Sequence, residues 1–263
     1  MMKRTAVVYQ RDSGRLLKTG AFRILAGIHA ALSLGAGIGI GIALTRLHNR
    51  IAGAGPAFGA SGGSAAEVMR EAVGAIVPGM AGILEVSLAY LVLCWVLAGP
   101  LMTEEKASGT LVSLLATPLR PRELWLGKSA AVFVPGTVLA FAGYLLLVGV
   151  AEAWLSIATG SVQIVLPPQA LITALVATPL LMLELILLTI WCAIALSPDA
   201  AVIPSLFLGF AIMIGVPLGP QLWDVRFDTW SVTLVLLGVV ALFGVVLWAL
   251  SWSLRKERAI RSA

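Results

Sequence analysis

From Ala153 to Pro198 the chain carries a single charged residue, Glu184. That run is about twice the 20 or so apolar residues a helix needs to cross a bilayer core. The pattern recurs along all 263 residues. Ile24–Thr45 has His29 as its sole titratable residue, and Ala72–Met102 is interrupted only by Glu85. Ser129–Ala151, Ala200–Gly219 and Thr229–Leu254 carry no charge. The run after Glu152 holds a loop around Pro167–Pro168 and a helix from Ala170 to Leu196. Charged residues total 12%, against about 25% in soluble domains, so no soluble core could hide this surface. The reading is an all-α polytopic membrane protein, a single transmembrane domain over 1–263 with six transmembrane helices. Ser197-Pro198-Asp199 is a tight breaker, so helices four and five form an antiparallel hairpin.

Six spans leave both ends on one side, and the basic residues choose it. Fourteen of the eighteen Lys and Arg residues fall in the N-terminal segment, in the loop between spans two and three, or in the tail after Leu254. The other side holds Arg46, Arg50, Arg70 and Arg226. Both termini and the 103–128 loop are therefore expected in the cytoplasm, with the chain multi-pass in the cell (inner or plasma) membrane. The charge of +5 follows this membrane rule and does not suggest nucleic acid. No cleavable signal peptide is evident, because a polar-rich stretch precedes the first span. Residues 1–23 interleave Val7, Val8, Leu16 and Leu17 with bases, as an interfacial amphipathic helix would. Segment 51–66 reads as a flexible loop.

The 103–128 loop has a design of its own. Thr103 can cap a helix whose first turn carries Glu104 and Glu105. Leu111, Leu114 and Leu115 form an apolar stripe, and Thr117-Pro118 ends it. A second helix starts near Pro121 and runs into span three. Two helices around a proline break suit docking to a soluble partner.

This stretch, Glu104-x-x-x-x-Gly109-Thr110-Leu111-x-x-Leu114-Leu115-x-Thr117-Pro118 followed by Glu123-Leu124-x-Leu126-Gly127-Lys128, resembles the signature of ABC-2-type transporter permeases. The entry segment from Tyr9 to Arg23 is similar too, departing at Gln10, where the family commonly has an acidic residue. The resemblance implies a non-catalytic permease subunit of an ABC exporter. It implies pairing with a second permease copy, as homodimer or related heterodimer, over two cytoplasmic ATPase subunits. The 103–128 loop would be the coupling element, with Glu104, Glu105, Gly109, Thr110, Leu111, Leu114, Leu115 and Pro118 in it. ATP and Mg would bind in the partner ATPase, and no cofactor in this chain. Segment 220–231 would form an external re-entrant or interfacial element, where Leu222, Trp223, Phe227 and Trp230 suit an aromatic belt.

Several residues invite other readings. Gly127-Lys128-Ser129 ends like a phosphate-binding loop, but Arg122 stands where the first glycine belongs. Gly35, Gly37, Gly39 and Gly41 contain two overlapping G-x-x-x-G spacings, which allow close helix packing. Cys94 and Cys192 lie in apolar runs and offer neither a disulfide framework nor metal spacing. Glu85 and Glu184 are the candidates for a translocation pathway, because a carboxylate in a span usually faces a cavity or a partner. No Lys or Arg lies at bilayer depth, so neither has an obvious ion-pair partner. Trp191 is expected to line a cavity at Glu184, and His29 to sit near the interface. Each carboxyl could equally be a structural group bonded to a neighbouring helix. Two other functions compete with the exporter: a self-sufficient secondary transporter or channel using Glu85 and Glu184, and an ABC complex that powers maturation or assembly.

Overall fold

The computed structural model describes residues 2–53, 81–94, 102, 104–106, 108–160, 166–195, 203, 206–207, 209–216, 218 and 229–254. Among these there is no strand. The principal helices are α1 (Met2–Lys18), α2 (Gly20–Gly53), α3 (Gly82–Leu93), α4 (Thr110–Ala116), α5 (Pro121–Thr159), α6 (Pro168–Ala195) and α7 (Trp230–Ser251). Within them, Gly20–Ile51, Pro121–Thr159, Pro168–Ala195 and Trp230–Ser251 are long and apolar enough to cross a membrane.

Six spans were expected, and the described residues contain four of full length. The second is represented by the twelve-residue apolar helix α3. Of the fifth, residues 209–216 are helical. Thr103, the Ser197-Pro198-Asp199 breaker, most of segment 220–231 and the tail after Leu254 lie outside the described residues, and so does most of the 51–66 loop.

Helix boundaries follow local chemistry. Pro121 occupies the first helical position of α5, where a missing N–H costs nothing. Glu123 Oε2 accepts the Arg120 N–H at 3.0 Å, closing that end. At the far end Gly160 adopts φ +72°, and its N–H donates to Ser156 O. The third span was expected over Ser129–Ala151, but α5 has 39 residues, about 58 Å at 1.5 Å per residue. A hydrocarbon core is about 30 Å thick, so α5 projects well beyond it. Its start merges the loop's second helix with the span, as expected. Glu152 does not end it, because a charged side chain near a helix end can reach the interface.

In α6 the segment Thr173–Ala177 is a π turn, directly before Pro179. Proline has no N–H, and its ring crowds the carbonyl four residues back. The wider turn relieves that crowding, and the Thr178 N–H and hydroxyl both donate to Thr173 O.

Helix α5 is the centre of the bundle: α1, α2, α3 and α6 all pack on it, and α7 lies on α6. Gly37 and Gly41 are where α2 meets α5. An added Cβ would come within 2.9 Å of Val150 Cβ at Gly37 and 2.7 Å of Trp154 Cβ at Gly41. Among the described residues nothing stands within 4 Å of a Cβ added at Gly35 or Gly39, so of the two glycine spacings it is Gly37 and Gly41 that pack on described neighbours. Outward positions of α7, such as Val235, Leu242 and Val245, are large, apolar and exposed, as lipid contact requires.

Candidate functional site

Three places bring chemistry-bearing side chains together. The first is the element between α3 and α5. Residues 104–106 are helical, and Gly109 then turns the chain with φ +69°. That left-handed conformation disfavours any residue with a Cβ, which is why glycine stands there. Helix α4 follows. Thr117 leaves it extended, at ψ 167°, and its hydroxyl donates to Leu114 O. Leu111 is fully buried and Leu114 is half-buried against the core, so these leucines hold α4 down. Its outward side chains are Ser113 and Ala116, with Glu104 exposed just before. Pro118 is also exposed. The Leu115 side chain lies outside the described residues.

Glu105 points inward. Its Oε2 accepts from Lys128 Nζ at 2.5 Å, and the same ammonium reaches Asp12 Oδ2 at 3.1 Å. This buried node ties the loop, α1 and α5 into one unit. At the residue before Lys128, an added Cβ on Gly127 would come within 2.7 Å of Val8 Cβ, so α1 crosses α5 at that glycine. Gly127-Lys128 therefore serves a helix crossing and an ion pair.

The second place is Glu85. No Lys or Arg was expected beside it, and its neighbours are a histidine and a serine of another helix. His29 Nε2 of α2 lies 3.1 Å from Glu85 Oε1, and Ser33 Oγ lies 2.5 Å from the same oxygen. Both carboxylate neighbours come from one face of α2, spaced i, i+4. All three residues are buried, so His29 is an interior residue and not an interfacial one. Gly143 of α5 closes the cluster, since a Cβ there would collide with His29 Nε2 and stand 2.6 Å from Glu85 Oε1. Ser33 Oγ is also 2.8 Å from His29 O, yet a hydroxyl has one hydrogen. It therefore donates to one of these two acceptors at a time.

The third place is Glu184, on α6. It is 7% exposed, its Oε1 stands against Gly244 of α7, and its Oε2 has no hydrogen-bond partner among the described residues. It lines a cavity of about 410 Å³ between the start of α5, α6 and α7. Trp125 and Trp248 line that cavity too. Trp191 was expected to do so, but it is turned aside, its indole N–H donating to Leu250 O at 3.2 Å. The Trp125 indole N–H donates to Leu187 O at 2.7 Å, fixing its ring. At one end of the cavity Arg122 Nε donates to Ser251 O at 2.8 Å, and its guanidinium lies 4.4 Å from the centre of the Trp252 ring.

No family model, curated protein or solved structure matches this chain.

The site therefore rests on its own geometry. Among the described residues no group of three or more His, Cys, Asp or Glu side chains could hold a metal ion. Cys94 and Cys192 are buried free thiols. Sequence reasoning missed the Asp12–Lys128–Glu105 node and the His29–Ser33–Glu85 cluster. A signal for the second was present: a histidine and a serine one turn apart on an otherwise apolar span.

Proposed function

We propose that this chain is the membrane permease subunit of an ATP-binding-cassette transporter of the ABC-2 type, acting as an exporter and driven by separate ATPase subunits. In this reading both termini and the 103–128 loop face the cytoplasm of a cell whose plasma or inner membrane holds the chain. Two permease copies stand over two ATPase copies, and ATP and Mg belong to the latter. The observation that carries the reading is the element 104–128. A short helix is pinned by Leu111 and Leu114, turned by Gly109, and tied through Glu105 and Lys128 to α5. A push on α4 would therefore reach α5, and α5 touches most of the bundle. Glu104, Ser113, Ala116 and Pro118 are among the described side chains exposed to meet a partner.

The test is purification of the full tagged chain from its native membranes, followed by assay of Mg-ATP hydrolysis. Hydrolysis should accompany the chain in equal stoichiometry with a second polypeptide. It should be lost from the preparation in Ala116→Arg, which leaves the buried face intact. A preparation that transports without any ATPase polypeptide would end this reading.

The His29–Ser33–Glu85 cluster supports a second reading, a self-sufficient secondary transporter that uses a proton on Glu85. Proteoliposomes holding this chain alone would then accumulate substrate under a pH gradient without ATP.

A further inference from the structure

We infer that the cavity at Glu184 is a binding site for a lipophilic organic cation, a molecule with an ammonium or phosphonium centre inside a mainly apolar body. The inference rests on the cavity and does not depend on the ATPase-driven reading. At about 410 Å³ the space falls within the range of small-molecule sites, roughly 300–1,000 Å³. Its walls are apolar and aromatic, contributed by Leu180, Leu183, Trp125 and Trp248. Glu184 is the sole acidic side chain among the described lining residues.

The carboxyl is placed as a ligand group would be. It is more than nine-tenths buried, and neither oxygen takes part in a hydrogen bond or ion pair among the described residues. The buried groups at Glu85 and Glu105 both have partners in the chain; Glu184 Oε2 has none among the described residues. A carboxylate left without a partner in hydrocarbon is costly, and an incoming cation removes that cost. Gly244 gives the carboxyl its room on α7: an added Cβ would stand 2.9 Å from Oε1. Trp125 and Trp248 are among the lining residues, and aromatic rings attract cations to their negative faces.

Arg122 opposes a cation, but from a distance. Gly244 stands against Glu184 and Ser251 against Arg122, seven residues apart and so about 10 Å along α7. By distance alone the repulsion is about 2.5-fold weaker than the attraction from Glu184 at about 4 Å. The guanidinium is also held over Trp252 and bonded to Ser251 O, so it closes the end of the cavity without neutralising Glu184.

The experiment is equilibrium dialysis of tetraphenylphosphonium against the full chain in dodecyl maltoside, a non-ionic detergent. Its anionic counterpart of the same shape, tetraphenylborate, serves as the comparison. The native chain should retain one phosphonium per chain, and Glu184→Gln should weaken retention at least tenfold. Tetraphenylborate binding should be unchanged or tighter in Glu184→Gln. Leu183→Trp, which fills the cavity and keeps the carboxyl, should also weaken phosphonium binding. Each variant is first shown to elute and melt as the native protein does. Equal phosphonium retention by Glu184→Gln and the native chain would overturn the inference and leave the space to lipid chains. Unchanged retention by Leu183→Trp would overturn it too, by placing the phosphonium elsewhere.

Discussion

His29 Nε2 and Glu85 Oε1 stand 3.1 Å apart in the interior, on helices joined by the long stretch between Gly53 and Gly82. The pair fixes how α2 meets α3 at a position where both helices are otherwise apolar. Removing one partner of a buried pair leaves the other uncompensated and typically costs about 3–5 kcal/mol, whereas replacing both with apolar groups can be neutral.

His29→Leu should therefore lower the thermal unfolding midpoint in detergent by several degrees, and Glu85→Leu should do likewise. The double variant His29→Leu, Glu85→Leu should be more stable than His29→Leu alone. Simple addition of the two losses would show that the residues do not act as a pair.

Gly143 tests the same cluster from the third helix. A methyl there meets His29 and Glu85, and overpacking a filled interior typically costs about 1–3 kcal/mol. Gly143→Ala should be destabilised by that order, while Gly149→Ala, which meets nothing within 4 Å among the described residues, should match the native chain. The comparison is made by thermal unfolding of both variants. Equal melting of the two would remove the steric argument.

Lys128 stands between Asp12 and Glu105 and is itself buried. Lys128→Met keeps most of the side-chain volume and removes the positive charge, leaving two carboxylates facing each other. The expected result is detachment of α1 and of the 104–116 element, read as faster proteolysis of both segments while the spans stay protected. Adding Asp12→Asn and Glu105→Gln to Lys128→Met should restore much of the protection. If the triple variant is cleaved as quickly as the single, the ion pairs are not what holds these segments.

What could be read from the sequence was whatever depends on neighbours along the chain. Apolar run length placed α2, α6 and α7, and Thr117-Pro118 marked the end of α4; the single helix expected from Thr103 to Thr117 is instead interrupted at Gly109, whose left-handed turn separates residues 104–106 from α4. What could not be read was which face of one helix meets which face of another. Glu85 gave no hint that His29, more than fifty residues away, would be beside it. Lys128 looked like the end of a phosphate-binding motif because its partners Asp12 and Glu105 lie on separate segments. The neighbours of Glu184 show the same limit. Trp191 shares its helix, but the rings that line the cavity come from α5 and α7. The end of α5 was missed for a different reason: Glu152 is polar, but helix continuation depends on the backbone, which breaks only at Gly160.

Gly109 offers a test of backbone conformation separated from bulk. Its φ is +69°, and an added Cβ would meet nothing within 4 Å among the described residues. Any loss on substitution must then come from the left-handed conformation, which costs an L-residue roughly 1–2 kcal/mol. Asparagine tolerates that region better than alanine, and a β-branched residue tolerates it least. Stability of the 104–116 element should thus fall in the order Gly, Asn, Ala, Val. Limited proteolysis of that segment in the full chain would read the order directly. If the ATPase docks on α4, its retention during purification should fall in the same order, because the turn sets how Ser113 and Ala116 are presented. A Gly109→Val chain as resistant to protease as the native one would mean that the turn relaxes to negative φ at no cost, and Gly109 would then have no conformational role.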